Sequence, residues 1–329
     1  AENIEIFESK RDNYLETIVS VIKTNKIDKI ARVGLMIIKV INYYFYFFIF
    51  IFVEFTCIPS MPWNSFRYFL YDFLRNSSYE TIKINEKSVK FFVPSSIVKE
   101  RVKKIFIKEP DTIEWINSFS RFSIDQNTIL WDIGANIGLF SIYASTQHKD
   151  LNIFAFEPSM NNLSILTRNV SINNLVEKIT VNQFPLTDKK NKYLKLKESN
   201  FVEGGALNTF GEEYDYEGKD FKENNSYKVF GTSIDYLIDE KILDVPDFIK
   251  IDVDGIEHLI LDGAKKLLKE KRLKSIQIEL NENFEFQNQS CTDTLISSGF
   301  KLKTKNLASS RRSKSLRFSK MYNCVFERT

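Results

Sequence analysis

A glycine-rich turn that directly follows a short apolar run constrains the fold more than any other feature of the sequence. Residues 128–132 form the apolar run, which ends in Asp132, and the turn Gly134-x-Asn136-x-Gly138 comes next. Glycines at a strand-to-helix turn let a ligand approach the backbone, and the N-terminus of the following helix attracts negative groups. The motif therefore predicts a ligand-binding turn at the end of a parallel strand.

Two residues of this turn indicate which ligand it binds. Asn136 stands where a dinucleotide-binding turn has its second glycine, so a side chain obstructs the pyrophosphate and offers an amide instead. The carboxylate of Asp132 would repel phosphates, but it suits an ammonium group. A ligand with an amino-acid end, a sulfonium and an adenosine fits both features. We therefore expect S-adenosylmethionine as the cofactor, and not NAD.

A second acid lies at the distance from the turn that a ribose contact requires. Glu157, in Phe156-Glu157-Pro158, follows Gly138 by 19 residues and ends the next apolar run. An acid about 20 residues beyond the glycine turn is placed to accept hydrogen bonds from a ribose.

A third acidic group follows the apolar run of residues 248–251. Asp252 and Asp254 are two residues apart and would face the same side of a straight strand. Open α/β sheets bind ligands at the carboxyl ends of their strands. We therefore expect Asp132, Glu157, Asp252 and Asp254 to converge on one edge of the sheet.

The chain divides into two parts by composition. Residues 1–78 are helical and rich in aromatic side chains, and residues 79–329 form an α/β domain in which strands and helices alternate. Residues 256–269 are predicted to be one helix, and residues 299–303 and 321–326 a closing antiparallel pair. The charged, glycine-containing residues 187–231 predict hairpins and loops that act as a lid or an insertion.

Charge and cysteine content exclude several functions. The formal net charge of +3 disfavours a nucleic-acid partner, because phosphate recognition needs a clustered positive excess. Three scattered cysteines argue against a disulfide framework and against a zinc cluster, and they favour a reduced, cytoplasmic compartment.

The aromatic residues are concentrated in the first part of the chain. Eight of the ten residues 43–52 are aromatic, and residues 33–53 are long enough as a helix to cross a bilayer. A span would separate the catalytic domain from a cytosolic cofactor. Three alternatives stay open for residues 33–75: peripheral association with the inner face of the membrane, a core or homo-oligomer interface, and a true span.

Several segments, in this order, resemble the FkbM family of S-adenosylmethionine-dependent methyltransferases. They are residues 109–116, 132–138, 156–158, 169–174, 186–188, 232–237, 250–257, 262–264 and 322–326. The chain departs from the family pattern at Asp254, where a glutamate is usual, and at Ile234, where a leucine is usual.

The resemblance implies a Rossmann-like methyltransferase fold, with a mostly parallel sheet and an antiparallel C-terminal strand. It also implies transfer of a methyl group to oxygen, commonly of a sugar or polyketide. The residues that it implies as cofactor contacts are Asp132, Gly134, Ala135, Asn136, Gly138, Glu157, Pro158, Asp188 and Asp252.

An aliphatic hydroxyl is a poor nucleophile, so a proton acceptor is expected beside it. The candidates are Asp254, Glu279 near the end of a later strand, and His258. Lys250 and Asp252 complete the expected catalytic group, with Lys250 paired to an acid. We assign no metal ligands, although Asp252, Asp254 and Glu279 would suit Mg²⁺.

The sequence thus predicts an O-methyltransferase that acts on a hydroxyl of a sugar, a glycan or a lipid-linked sugar. The alternatives are an NAD-dependent oxidoreductase and a non-catalytic scaffold that binds S-adenosylmethionine.

Overall fold

The computed structural model describes residues 63–308 and 320–329, together with Ile41 and Tyr44. The chain divides between Ser77 and Ser78 into two units. Helix α1 (Trp63–Asn76) belongs to the first unit, and the elements below belong to the second. Apart from Tyr44, the aromatic run 43–52 lies outside the described residues. Within the described ranges, no helix combines the length and the apolarity needed to cross a bilayer.

A sheet of seven described strands forms the centre of the second unit, in the order β11-β12-β10-β9-β3-β4-β5. Its strands are β3 (Ile129–Ile133), β4 (Asn152–Phe156), β5 (Ile179–Asn182), β9 (Phe248–Ile251), β10 (Ser275–Asn281), β11 (Phe300–Leu307) and β12 (Met321–Arg328). Neighbours from β5 to β10 pair in parallel, and β12 pairs antiparallel with both β10 and β11. The predicted mostly parallel sheet with an antiparallel C-terminal strand is confirmed.

The chain changes direction across the sheet between β3 and β9. From β3 it proceeds to β4 and β5 on one side, and it later returns to β9 and β10 on the other side. The loops that follow β3 and β9 therefore separate and leave a crevice at the carboxyl ends of these strands. Ligands bind at such a switch point in open α/β sheets.

Helices cover both faces of the sheet, because successive strand residues point to opposite faces. Leu130 packs into one core with Ile142 and Leu166, and Trp131 into the other with Ile260. The helices are α2 (Ser96–Lys103), α3 (Ile105–Lys108), α4 (Pro110–Asn117), α5 (Leu139–Gln147), α6 (Met160–Ile172), α7 (Ile234–Asp239), α8 (Glu257–Asp262) and α9 (Glu285–Ser297).

Two small antiparallel units accompany the central sheet. β1 (Tyr79–Ile84) and β2 (Lys87–Phe92) form a hairpin. β6 (Lys192–Glu198) pairs with both β7 (Thr209–Phe210) and β8 (Asn225–Gly231). The prediction of hairpins and loops over residues 187–231 is confirmed. Residues 199–208, between β6 and β7, contact the candidate site described below.

The predicted helix 256–269 is wrong in its length. α8 ends at Asp262, and only a short 3-10 turn, Leu267–Lys269, follows. Gly263 explains the break, because a Cβ there would lie 2.2 Å from the Thr187 carbonyl oxygen. Its own carbonyl accepts a hydrogen bond from Asp235 N at 2.8 Å. The backbone at Gly263 thus packs closely against Thr187, at a position where the helical periodicity of the sequence alone predicts that the helix continues.

Asp247 ties the starts of three parallel strands together. Its buried carboxylate accepts a hydrogen bond from Ile129 N at 3.0 Å, at the start of β3. It also lies 3.1 Å from Arg272 and 3.0 Å from Lys274, which precede β10. A single side chain therefore holds β3, β9 and β10 in register at the edge opposite the crevice.

Replacing Asp247 with alanine should lower the free energy of unfolding by about 2–3 kcal/mol. The change leaves the Ile129 N–H buried without its acceptor and removes the partner of two cations. Urea unfolding followed by circular dichroism measures the loss. Asp244→Ala, at an exposed position in the same loop, is the matched control and should change stability by less than about 0.5 kcal/mol. Equal effects of the two variants would contradict this role of Asp247.

Candidate functional site

The glycine-rich turn packs directly against the backbone at the end of β9. A Cβ on Gly134 would lie 1.9 Å from the Asp252 carbonyl oxygen, and Gly134 has a φ of +85°. Gly134 N and Ala135 N both donate to the Phe156 carbonyl, at 3.0 and 2.9 Å. Only glycine fits this position, and the turn thereby connects the carboxyl ends of β3, β4 and β9.

Asp132 lies at the end of β3, beneath this turn. Its side chain is 1% exposed, and one carboxylate oxygen accepts a hydrogen bond from the Ser141 hydroxyl at 2.6 Å. The other oxygen is buried and has no hydrogen-bond partner in the described part of the chain. Burial raises the pKa of Asp132, and the Lys250 ammonium opposes that shift. Asp132 therefore adds a buried carboxyl group beside Lys250, behind the turn.

Lys250 is the buried cation at the centre of the site. Its Nζ lies 2.9 Å from an oxygen of Asp252. Burial acts to lower the pKa of Lys250, but the carboxylates of Asp252, Asp132 and Glu109 more than offset this effect and raise it. Lys250 therefore remains charged at neutral pH, neutralises Asp252 and cannot serve as a general base.

Glu157, at the end of β4, supports the turn from the other side. Its carboxylate is 5% exposed and accepts hydrogen bonds from Asn136 N and Ser159 N, both at 2.8 Å. Burial raises the pKa of Glu157 to about 8, although both backbone N–H groups favour the ionised form. The carboxylate is thus rigidly placed at the crevice, where the remaining lone pairs face the ligand cavity that Glu157 lines.

Residues 199–208, here called the covering segment, close over the turn. The Asn136 amide nitrogen donates to the Gly205 carbonyl at 2.7 Å, and its oxygen accepts from Ile137 N at 3.0 Å. The Asn136 amide thus holds the covering segment and the turn in this structure, and its contact with the cofactor stays a prediction. The positive φ of Asn136, 51°, is consistent with this turn position.

Asn162, on α6, holds the same segment. Its amide nitrogen donates to the Gly205 carbonyl at 3.1 Å, and its oxygen accepts from Gly204 N at 2.9 Å. On the other side of the crevice, an oxygen of Asp254 accepts a hydrogen bond from Leu207 N at 2.7 Å. The covering segment is thus attached at both ends to residues that line the crevice.

Three acids form a cluster at the carboxyl ends of β9 and β10. Asp252, Asp254 and Glu279 each place a carboxylate oxygen within 4.8 Å of the others, and we call them the carboxylate cluster. Their hard oxygen donors suit Mg²⁺. However, the Lys250 ammonium already contacts Asp252, and the Leu207 N–H already contacts Asp254.

Two cavities meet at this edge and share Gly134, Asn136 and Asp252. The first opens to solvent, and the empty space between its walls, open solvent included, is about 610 Å³. Its walls are largely apolar: Phe156, Leu186, Leu196, Phe210, Val253, Ile256 and Ile260, with Glu157 and Asp254 among the polar residues. The second also opens to solvent, spans about 450 Å³ on the same measure, and is lined by both signs of charge: Arg101, Lys108, Lys250, Glu109 and Asp252.

The residues present fit S-adenosylmethionine. The apolar walls of the first cavity suit an adenine, and Glu157 beside them suits a ribose. The second cavity suits an amino-acid end, because its acids match an ammonium and its cations match a carboxylate. Asp132 itself lines neither cavity and lies buried behind the turn.

Asp188 and His258 lie apart from both the cavities and the glycine-rich turn. Asp188 is exposed, accepts a hydrogen bond from the Thr187 hydroxyl at 2.9 Å, and lines neither cavity. His258 is buried, its Nε2 lies 3.2 Å from the Tyr214 hydroxyl, and Phe284 and Phe286 pack beside it. Burial lowers the pKa of His258. His258 therefore packs within the protein and does not face the crevice.

The structure brings together the other predicted residues. Gly134, Ala135, Asn136, Glu157, Pro158, Lys250, Asp252 and Asp254 line one cavity or both, Asp132 and Gly138 support the turn, and Glu279 joins the carboxylate cluster. Sequence reasoning missed Asn162 and assigned no role to Glu109. Only the position of Glu109 in a family-like segment, beside a proline that starts α4, could have drawn attention to it.

Comparison with known proteins identifies the class. The sequence matches the family described as Methyltransferase FkbM domain over residues 132–302, just over half of the chain. A curated relative, Methyltransferase sdnD of Sordaria araneosa, is 28% identical over 161 residues. That match covers 43% of this chain and 62% of the relative, so the chain spans less than two thirds of that protein.

Solved structures of methyltransferases are more distant. Methyltransferase FkbM from Methylobacillus flagellatus is 16% identical, with a TM-score of 0.40, over 62% of this chain and 44% of that chain. A methyltransferase from Streptococcus mutans in complex with SAH is 11% identical, with a TM-score of 0.39, over 66% of this chain and 98% of that chain.

The strand order, the glycine-rich turn and the acids at the strand ends define a Rossmann-like methyltransferase that uses S-adenosylmethionine. The extent of the family match makes the assignment specific: the chain belongs to the FkbM methyltransferase family.

Replacing Asn162 with alanine should loosen the covering segment. The change removes both hydrogen bonds to Gly204 and Gly205, so their amide hydrogens should exchange with solvent faster, and S-adenosylmethionine should dissociate roughly tenfold faster. Hydrogen-exchange mass spectrometry and stopped-flow release measure the two effects. Asn161→Ala is the matched control, because the Asn161 amide nitrogen has no partner among the described residues. Unchanged protection in Asn162→Ala would show that Asn162 does not hold the segment.

The affinity for S-adenosylmethionine should increase between pH 6 and pH 8. The pKa of Glu157 is raised to about 8, and ribose hydroxyls prefer the ionised carboxylate. Binding should therefore release a proton, and the affinity should rise by up to about tenfold per pH unit below pH 8. Calorimetry in buffers of different ionisation enthalpy measures both quantities. In Glu157→Gln the affinity should depend less steeply on pH, because the titrating carboxyl is gone. The same pH dependence in wild type and variant would contradict the assignment of Glu157 as the ribose contact.

Proposed function

We propose that this protein transfers a methyl group from S-adenosylmethionine to a hydroxyl oxygen of a sugar, a glycan or a lipid-linked sugar. Family membership supports methyl transfer in preference to NAD-dependent oxidation. The carboxylate cluster beside the crevice is the observation that supports oxygen as the atom that receives the methyl group. An aliphatic hydroxyl needs a proton acceptor at the moment of attack, and the cluster supplies one.

The residues of the first cavity position the cofactor. Glu157 holds the ribose and, through Asn136 N, the turn itself. Asn136 and Asn162 hold the covering segment beside this cavity through the Gly205 carbonyl. Alignment of the acceptor oxygen behind the reacting methyl lowers the activation free energy by several kcal/mol. Orientation of this kind can supply up to about 7–11 kcal/mol.

The residues of the second cavity orient the amino-acid end and, with it, the methyl group. S-adenosylmethionine supplies a methyl group already activated by a positively charged sulfur. Glu109 would accept hydrogen bonds from the ammonium, and Lys108 or Arg101 would pair with the carboxylate. The Lys250 ammonium pairs with Asp252 and fixes it beside the turn.

Asp254 is the residue that accepts the proton of the acceptor hydroxyl. It lines the first cavity and is partly exposed, whereas Glu279 is buried and Asp252 is neutralised by Lys250. As the carbon–oxygen bond forms, the carbon–sulfur bond breaks and the hydroxyl proton passes to Asp254.

Labelled S-adenosylmethionine tests the proposed function. The full chain is incubated with it and with separate glycan and lipid-linked saccharide fractions, and mass spectrometry locates the label. We expect a methyl ether on a saccharide hydroxyl. Label on nitrogen or carbon would refute the proposed reaction. Cofactor binding with no label in any fraction would favour the scaffold alternative.

Asp254→Asn should reduce turnover by about 10²–10³-fold and change cofactor affinity by less than about threefold. The asparagine oxygen can still accept the hydrogen bond from Leu207 N, so the covering segment should keep its position. Turnover and calorimetric affinity are measured on the same preparation, with Asp244→Asn as the control. Wild-type turnover in Asp254→Asn would remove it as the proton acceptor.

A further inference from the structure

Helix α1 has two unlike faces. At 3.6 residues per turn, Phe69, Leu70, Phe73 and Leu74 share one side of the helix. The opposite side carries tyrosines and charged residues: Tyr68, Tyr71, Asp72 and Arg75. The helix is therefore amphipathic, and the question is what its apolar side contacts.

That apolar side is exposed. Phe69, Phe73 and Leu74 expose 63%, 58% and 56% of their surfaces. The rings of Phe69 and Phe73 stack with their centroids 6.2 Å apart, so they form one continuous patch. Contiguous apolar patches on soluble surfaces mark sites that bind a partner or a membrane.

Composition and charge identify the partner. From Lys23 to Arg75 the sequence has seven Lys and Arg residues and three Asp and Glu residues, and α1 itself carries Arg67, Arg75 and Asp72. Phe, Trp and Tyr beside arginine are typical of helices that lie at a bilayer surface. A helix that pairs with a second copy of itself usually presents aliphatic residues in a heptad pattern instead.

We propose that α1 lies in the headgroup region of an anionic lipid bilayer, with Phe69 and Phe73 inserted toward the acyl chains. The net positive charge of α1, from Arg67 and Arg75 against Asp72, attracts the anionic surface, and the aromatic face supplies the apolar contact. The proposal concerns one helix that lies along the membrane surface and does not cross it. It is independent of methyl transfer, although it would bring the enzyme to the surface where a lipid-linked sugar is presented.

Vesicle flotation with the full chain tests the proposal. Vesicles contain phosphatidylcholine alone or phosphatidylcholine with one quarter phosphatidylglycerol, at low and at high salt. We expect the wild-type protein to float with the anionic vesicles and to bind the neutral ones more weakly. Phe69→Ser/Phe73→Ser should reduce binding to the anionic vesicles roughly tenfold or more, because the inserted apolar surface is lost.

The matched control is Tyr68→Ser/Tyr71→Ser, which also removes two exposed aromatic side chains from α1. Its binding should stay within about threefold of wild type. Calorimetric binding of S-adenosylmethionine reports the state of the second unit of each variant, and circular dichroism compares the helix content of the two double variants. Wild-type protein that does not bind anionic vesicles, or equal losses in the two double variants, would overturn the proposal. A concentration-dependent dimer that only the phenylalanine variant loses, without vesicle binding, would assign the face to a second copy.

Discussion

The close contact between Gly134 and the carbonyl of Asp252 is the constraint on which the site depends. Because a Cβ at Gly134 would lie 1.9 Å from that oxygen, only glycine lets the turn after β3 approach the end of β9. The approach sets Asp132, Lys250 and Asp252 side by side on one face of the sheet. It also leaves the two cavities joined at the turn, so that one elongated ligand can occupy both.

Electrostatics give the parts of this edge different roles. Lys250 is held charged by the acids around it, and it neutralises Asp252. Glu157 is buried with two backbone N–H groups, so its charge is costly until a ligand provides further hydrogen bonds. Asp254 lines the first cavity and is partly exposed, whereas Glu279 is buried. Because their surroundings differ, the proposed function assigns cofactor binding to Glu157, structural support to Asp252 and proton acceptance to Asp254.

The sequence predicted those parts of the site that local spacing controls. Asp132, Glu157 and Asp252 end successive parallel strands, and parallel strands bring their carboxyl ends to one edge, so their convergence followed from position alone. The role of Asn136 did not follow, because its partner Gly205 lies 69 residues further along the chain. The break at Gly263 depends on a similarly distant contact with Thr187. Contacts of this kind depend on tertiary packing, so they cannot be predicted from the spacing of residues along the sequence.

A crystal structure of the full chain with S-adenosylhomocysteine tests the central claim most directly. The account predicts that the ribose hydroxyls lie within hydrogen-bond distance of the Glu157 carboxylate. It also predicts the amino-acid end beside Asp132 and the covering segment closed over the ligand. A ligand bound outside the crevice between β3 and β9, or a ribose held by residues other than Glu157, would contradict the account.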